Sequence, residues 1–151
     1  MSRILIKSIL LATFCIGSVF ASEEIEIEGF WINEAPPVSS VHAAYLLVHN
    51  RADEDAVLNR VESPAYARVE IHQSTMNDDQ VRMQAHEKLL IPARTSLEFK
   101  PGGFHLMLFN PASRMRAGDL AEFTFYLAGG GKLETSATVK KFDGAHAHHG
   151  H

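Results

Sequence analysis

From residue 25 onward, short runs in which apolar and polar side chains alternate, or in which β-branched and aromatic residues cluster, recur between turn signals. Alternation with period two is the mark of a half-buried strand, because successive side chains point to opposite faces. The pattern predicts strands over residues 25–32, 44–49, 56–61, 67–73, 81–86, 96–99, 104–109, 120–127 and 133–142. Pro36-Pro37, residues 50–55, Ser63-Pro64, residues 77–79, Pro101-Gly102-Gly103, Asn110-Pro111 and residues 129–131 punctuate them. Eight or nine short strands with no long helical periodicity predict an all-β domain, an antiparallel sandwich or Greek-key barrel. No internal repeat or second domain is evident, and residues 143–151 read as a flexible, histidine-rich tail.

The first 21 residues have a different character. Arg3 and Lys7 form a basic start, residues 8–20 are mostly apolar, and Ala21 offers a small residue for cleavage. This predicts a secretory signal over residues 1–21 and a domain over residues 22–142. A membrane-spanning helix needs about 20 apolar residues, and this run is shorter and leads into Glu23 and Glu24. In a lipoprotein signal Cys15 would be the acceptor, but bulky Phe14 stands where a small residue is expected. The expected product has 151 − 21 = 130 residues and, without Arg3 and Lys7, 12 basic against 18 acidic side chains, a formal charge of −6. It has no membrane span and no electrostatic footprint for nucleic acid. It enters an oxidising compartment, the periplasm, with no cysteine, because Cys15 is the chain's only one. That excludes thiol nucleophiles, thiol–disulfide exchange and Cys-based zinc sites.

Two strands place polar and soft side chains together. In residues 67–73, Ala67, Val69 and Ile71 share one face, and Arg68, Glu70 and His72 the other. In residues 104–109, Phe104, Leu106 and Leu108 share one face, so His105 and Met107 stand side by side on the other, about 6.6–6.8 Å apart along the strand. The turn chemistry of Met76-Asn77-Asp78-Asp79 predicts a hairpin centred between Asn77 and Asp78. Paired residue numbers then sum to 155, which sets Met83 opposite His72.

His72, Met83, His105 and Met107 are therefore the candidate constellation. Two imidazoles and two thioethers are neutral, fairly soft donors of the kind that select Cu(I). Zinc prefers thiolate, imidazole and carboxylate, and calcium or magnesium an oxygen cage. With no protein charge in the set, a bound Cu(I) unit would be a net monocation. Each residue alone has a plainer reading, since a strand methionine is usually core filler and a lone histidine usually hydrogen-bonded or at the surface. Coincidence on one face favours the site. His42, His49 and His86 have no such partner and are expected in structural roles. Met76 could add a sulfur beside the turn, though core or surface placement is the expectation, and Met115 falls in a loop.

These residues carry a family resemblance. The spacing His72, ten residues, Met83, twenty-one residues, His105, one residue, Met107 is similar to the signature of the periplasmic copper chaperones abbreviated PCuAC. So are Val69-Glu70-Ile71-His72, Val81-Arg82-Met83 and the run from Leu97 through Lys100-Pro101-Gly102-Gly103-Phe104-His105-Leu106-Met107-Leu108. The resemblance implies a cupredoxin-like β-sandwich holding Cu(I) at His72, Met83, His105 and Met107. It also implies delivery to the copper A centre of cytochrome c oxidase, directly or through a Sco-type thiol protein. Some relatives carry a His- and Met-rich tail that helps bind Cu(II). Here the tail offers His146, His148, His149 and His151 but no methionine, which suits Cu(II) rather than Cu(I).

Two other classes compete with the copper carrier. A cupredoxin-type electron carrier normally rests on a thiolate, which the expected mature chain lacks. An extracytoplasmic binding sandwich without metal has the same fold class. No Ser/His/Asp grouping, paired carboxylates or phosphate loop stands at a recognisable spacing, so an enzyme is not expected.

Overall fold

A computed structural model describes residues 24–77 and 80–141. The expected signal segment, Cys15 and the four tail histidines lie outside the described residues, as do Asp78, Asp79 and Phe142. Within them the chain is all-β: β1 (Ile25–Asn33), β2 (Val41–Asn50), β3 (Ala56–Glu62), β4 (Tyr66–Asn77), β5 (Gln80–His86), β6 (Leu89–Ile91), β7 (Ser96–Phe99), β8 (Phe104–Pro111), β9 (Leu120–Leu127) and β10 (Lys132–Lys140). The hydrogen-bonded order is β5-β4-β8-β7-β2-β1-β10-β9-β3-β6, with β8 also pairing β2. Pairing is antiparallel except between β1 and β10 and at the single contact Phe99↔Phe104 between β7 and β8.

The alternation read from sequence is the burial seen in space. Along β2 every second residue is buried, and His42, Ala44, Leu46, Val48 and Asn50 face inward. The sheet folds over on itself. Tyr66 of β4 stacks within 6.2 Å of Phe123 of β9, although six positions separate these strands in the hydrogen-bonded order. Phe30 lies 4.8 Å from Phe123 and 5.6 Å from Phe125, closing the same core from β1. Such pairs are worth roughly 0.5–1.5 kcal/mol beyond their buried area. Ile32, Leu58, Ile91, Leu106, Leu108 and Val139 fill the rest and are essentially inaccessible.

Two local devices shape the strands near the functional face. A bulge between Glu28 and Trp31 contains Gly29 at φ 61°, a left-handed value that glycine adopts without steric cost. Beyond it Trp31 pairs with Tyr45, their rings 4.8 Å apart. In the turn before β8, Gly102 has φ 79°, the amide of Gly103 donates to the Lys100 carbonyl (3.0 Å), and that of Lys100 to the Phe104 carbonyl (2.8 Å). The Lys-Pro-Gly-Gly sequence thus makes the tight entry that fixes which side of β8 His105 occupies.

The hairpin register departs from expectation. Ile71 pairs with His86, His72 with Ala85 and Ser74 with Met83, so partners sum to 74 + 83 = 157 rather than 155. The turn chemistry located the hairpin but not its centre, and β4 runs on through Asn77 before the chain reverses. A shift of two in the sum moves each partner by two residues and preserves which face it occupies. Met83 is consequently a diagonal neighbour of His72, not its direct partner. β6 lacked a signal of its own, being a three-residue strand paired to β3.

Candidate metal-binding face

The face is built where β4, β5, β8 and β2 lie side by side. β4 pairs with β8 so that Arg68 faces Phe109, Glu70 faces Met107 and His72 faces His105. Directly opposed residues project to the same side, with Cβ atoms about 4.5–5.5 Å apart. The rings of His72 and His105 are 5.8 Å apart between centroids. Met107 is also opposite Ala43 of β2, whose small side chain leaves the thioether room. On the far side of β8, Leu106 and Leu108 are fully buried and anchor the strand. Met83 joins from β5 through Ser74; opposed to Ser74, it lies diagonally from His72, roughly 7–8 Å away and within reach of a long side chain. All four sequence-predicted residues thus occupy one face, drawn from three strands.

They differ in exposure. His105 is buried, His72 and Met107 are partly buried, and Met83 is 54% exposed. Met76 and Val81 oppose each other farther along the same hairpin face, both well exposed. Met115 lies in the loop between β8 and β9, as its sequence reading expects, and is buried in the core.

The two imidazoles have distinct surroundings. His105 Nδ1 lies 3.2 Å from the Gly103 carbonyl oxygen, which can only accept, so Nδ1 carries the hydrogen and Nε2 the lone pair. Burial lowers the pKa of His105, with opposition from the Gly103 carbonyl and a smaller push from His72 in the same direction as burial. The neutral, ligating form is favoured. His72 Nε2 lies 2.8 Å from Glu70 Oε2, while its Nδ1 is buried without a hydrogen-bond partner. Glu70 Oε1 in turn forms an ion pair with Arg68, 3.0 Å from its Nε, and the Arg68 guanidinium lies 4.2 Å above the Phe109 ring. A carboxylate therefore borders a donor set that the sequence reading treated as uncharged. Glu70 and Arg68 were legible as face-mates of His72; their contacts were not.

His42, His49 and His86, the other histidines among the described residues, have protein partners, as their structural reading expects. His42 Nδ1 meets the Tyr66 hydroxyl at 3.0 Å; His49 lies between Ser96 Oγ and Glu28 Oε2; His86 Nε2 meets Gln73 Oε1 at 3.1 Å. Among the described residues no three His, Cys, Asp or Glu side chains are grouped to hold a metal ion.

Residues 25–139 match the family model described as "Putative lipoprotein LpqE-like". The chain belongs to the LpqE-like family. It is 26% identical to "Putative lipoprotein Lxx21020" of Leifsonia xyli subsp. xyli, over 82% of this chain and 74% of that protein. It is 32% identical to the uncharacterized protein RP573 of Rickettsia prowazekii, over 63% of this chain and about half (52%) of that one. Among solved structures, the fold matches the copper-bound PCuAC domain from PmoF2 with a TM-score of 0.69 and 24% identity, covering 82% of this chain and 97% of that domain. The solution structure of Cu(I)-DR1885 from Deinococcus radiodurans matches with a TM-score of 0.64 and 27% identity, covering 76% and 77%. The fold expected from the strand alternation and from the PCuAC resemblance is the one observed: this LpqE-like chain has the all-β architecture of PCuAC domains.

Proposed function

We propose that the protein is an extracytoplasmic copper carrier that holds Cu(I) between His72, Met83, His105 and Met107. The observation that carries this reading is the gathering of two imidazoles and two thioethers, from β4, β5 and β8, on one face of the sheet. The structural relatives named as copper-bound PCuAC and Cu(I)-DR1885 support it. The donor set fits the ion, because thioether and neutral imidazole suit Cu(I), and the unpartnered buried Nδ1 of His72 has a lone pair that a soft cation would satisfy.

The function is transfer rather than catalysis. Copper is cargo, taken up and passed on by exchanging ligands one at a time. Met83, the most exposed donor of the four, is the first to give way to an incoming ligand, while buried His105 holds the ion longest. Transfer to a thiolate-bearing acceptor runs downhill because thiolate binds Cu(I) more strongly than thioether does. The acceptor on this reading is the copper A centre of cytochrome c oxidase or a Sco-type protein. His146, His148, His149 and His151 give a separate imidazole-only place for Cu(II). A signal ending at Ala21 would deliver the chain to the periplasm; intact mass of the exported protein separates a Ser22 start from a lipid-bearing Cys15.

Anaerobic Cu(I) titration against a competing chelator, with X-ray absorption to count neighbours, tests the core reading. One equivalent with mixed sulfur and nitrogen ligation is expected. No Cu(I) uptake would return the protein to a metal-free binding sandwich, and a thiolate-type visible band would point to an electron carrier.

A further inference from the structure

We infer that Glu70 is a positioning residue that fixes the tautomer of His72, so that His72 presents Nδ1 to copper while His105 presents Nε2. The inference rests on the copper reading for its purpose, but its physical basis is present without metal. A carboxylate accepts and cannot donate, so the 2.8 Å contact between Glu70 Oε2 and His72 Nε2 requires the hydrogen on Nε2. In a neutral ring the lone pair then resides on Nδ1, the atom that is buried and unpartnered. Leaving a buried acceptor unsatisfied is unfavourable, and the arrangement is relieved when a cation takes that position.

Glu70 is itself held. Arg68 Nε forms an ion pair with its second oxygen at 3.0 Å, and Phe109, directly across the β4–β8 ladder, supports the guanidinium at 4.2 Å. Phe109, Arg68, Glu70 and His72 form a line of contacts along one face, each side chain fixed by the one before it. Such outer partners orient a ligating imidazole and raise its basicity, and their loss typically costs 10–100-fold in metal affinity. The carboxylate also places a negative charge beside the site, offsetting the monocation that four neutral ligands would leave.

The test compares wild-type protein with Glu70→Gln, which keeps the shape but offers an amide that can either accept from or donate to His72 Nε2 and so tolerates either tautomer, and with Glu70→Ala. Side-chain 1H–15N correlation spectra of the metal-free proteins report which nitrogen of His72 is protonated. Wild type is expected with hydrogen on Nε2, and both variants with that preference lost, at unchanged backbone spectra. Cu(I) competition should show affinity reduced by about 10–100-fold in Glu70→Ala. Hydrogen on Nδ1 of His72 in the wild type, or an unaltered tautomer in both variants, overturns the inference. Absence of Cu(I) binding by the wild type defeats the copper reading, and with it the purpose assigned to Glu70; the metal-free spectra judge the tautomer separately.

Discussion

His72 and His105 are direct cross-strand partners, their rings 5.8 Å apart, although 105 − 72 = 33 residues separate them along the chain. If both bind one ion, removing either disables much of what the other contributes. His72→Ala and His105→Ala should each weaken Cu(I) binding, and the double variant should lose less than the sum of the two. A coupling of about 0.5–3 kcal/mol is expected for residues sharing a partner. Chelator competition on the four proteins measures it, and strict additivity would mean that the two rings do not share an ion.

The methionines separate binding from folding. Met83 is 54% exposed, so Met83→Ala should change metal-free stability by no more than about 0.5 kcal/mol, as surface substitutions do. Met107 is partly buried beside Ala43 and should cost more. Both should weaken Cu(I) binding. Urea denaturation of the metal-free variants is the check: a loss of about 2–5 kcal/mol for Met83→Ala, the range for truncating a buried methionine, would place it in a core and remove it from the site.

Much of this face was readable because strand alternation is a local property. Glu70 and His72, or His105 and Met107, share a side whatever the rest of the chain does, and residues 96–99 and 120–127 coincide with β7 and β9. What escaped depended on tertiary context. The turn at residues 77–79 has suitable chemistry for more than one centre, and only pairing along the whole of β4 and β5 decides between them. β6 is three residues long, with Leu90 exposed between Leu89 and Ile91, too short for a period to show. Parallel pairing of β1 with β10 joins segments from opposite ends of the domain, and Met115 is buried although no strand carries it.

Stability should fall in acid through the buried histidines. Burial lowers the pKa of both His42 and His105 from the usual 6.5, so the unfolded chain binds protons that the folded one resists. Their contribution is fully present above about 6.5 and is lost as pH falls from there through the folded values, at up to about 1.4 kcal/mol per pH unit for each ring. Denaturation of the metal-free protein at pH 7.5, 6.5 and 5.5, with NMR titration of the two rings, tests this. Equal stability at all three values, or a His42 that titrates above 6.5, would contradict it.

Tyr66 supports the same element from inside. Its hydroxyl meets His42 Nδ1 at 3.0 Å, and burial raises its own pKa to about 12, so it stays neutral throughout that range. Tyr66→Phe keeps the ring against Phe123 but leaves the buried His42 nitrogen without a partner, and should cost about 1–3 kcal/mol. Because Tyr66 is buried against Phe123 and His42 and touches none of the four candidate donors in these contacts, Cu(I) affinity of the folded variant should be unchanged. A large loss of affinity at unaltered stability would show that the Tyr66–His42 contact in the core is coupled to the candidate site.

The tail should distinguish the two oxidation states of copper. His146, His148, His149 and His151 supply nitrogen only, which suits Cu(II) and its tetragonal preference, whereas the thioethers of Met83 and Met107 suit Cu(I). β10 ends at Lys140, so cutting the chain after Phe142 leaves every described strand intact. The truncated protein should retain its fold and one Cu(I) equivalent while taking up less Cu(II). Electron paramagnetic resonance of Cu(II) and anaerobic Cu(I) competition, run in parallel on full-length and truncated protein, give the two readings. Undiminished Cu(II) uptake would show that the tail is not the place of capture. Matching losses of both ions would show that tail and core act as one site, since a tail without sulfur could lower Cu(I) binding that far only by sharing the ion held at the sheet.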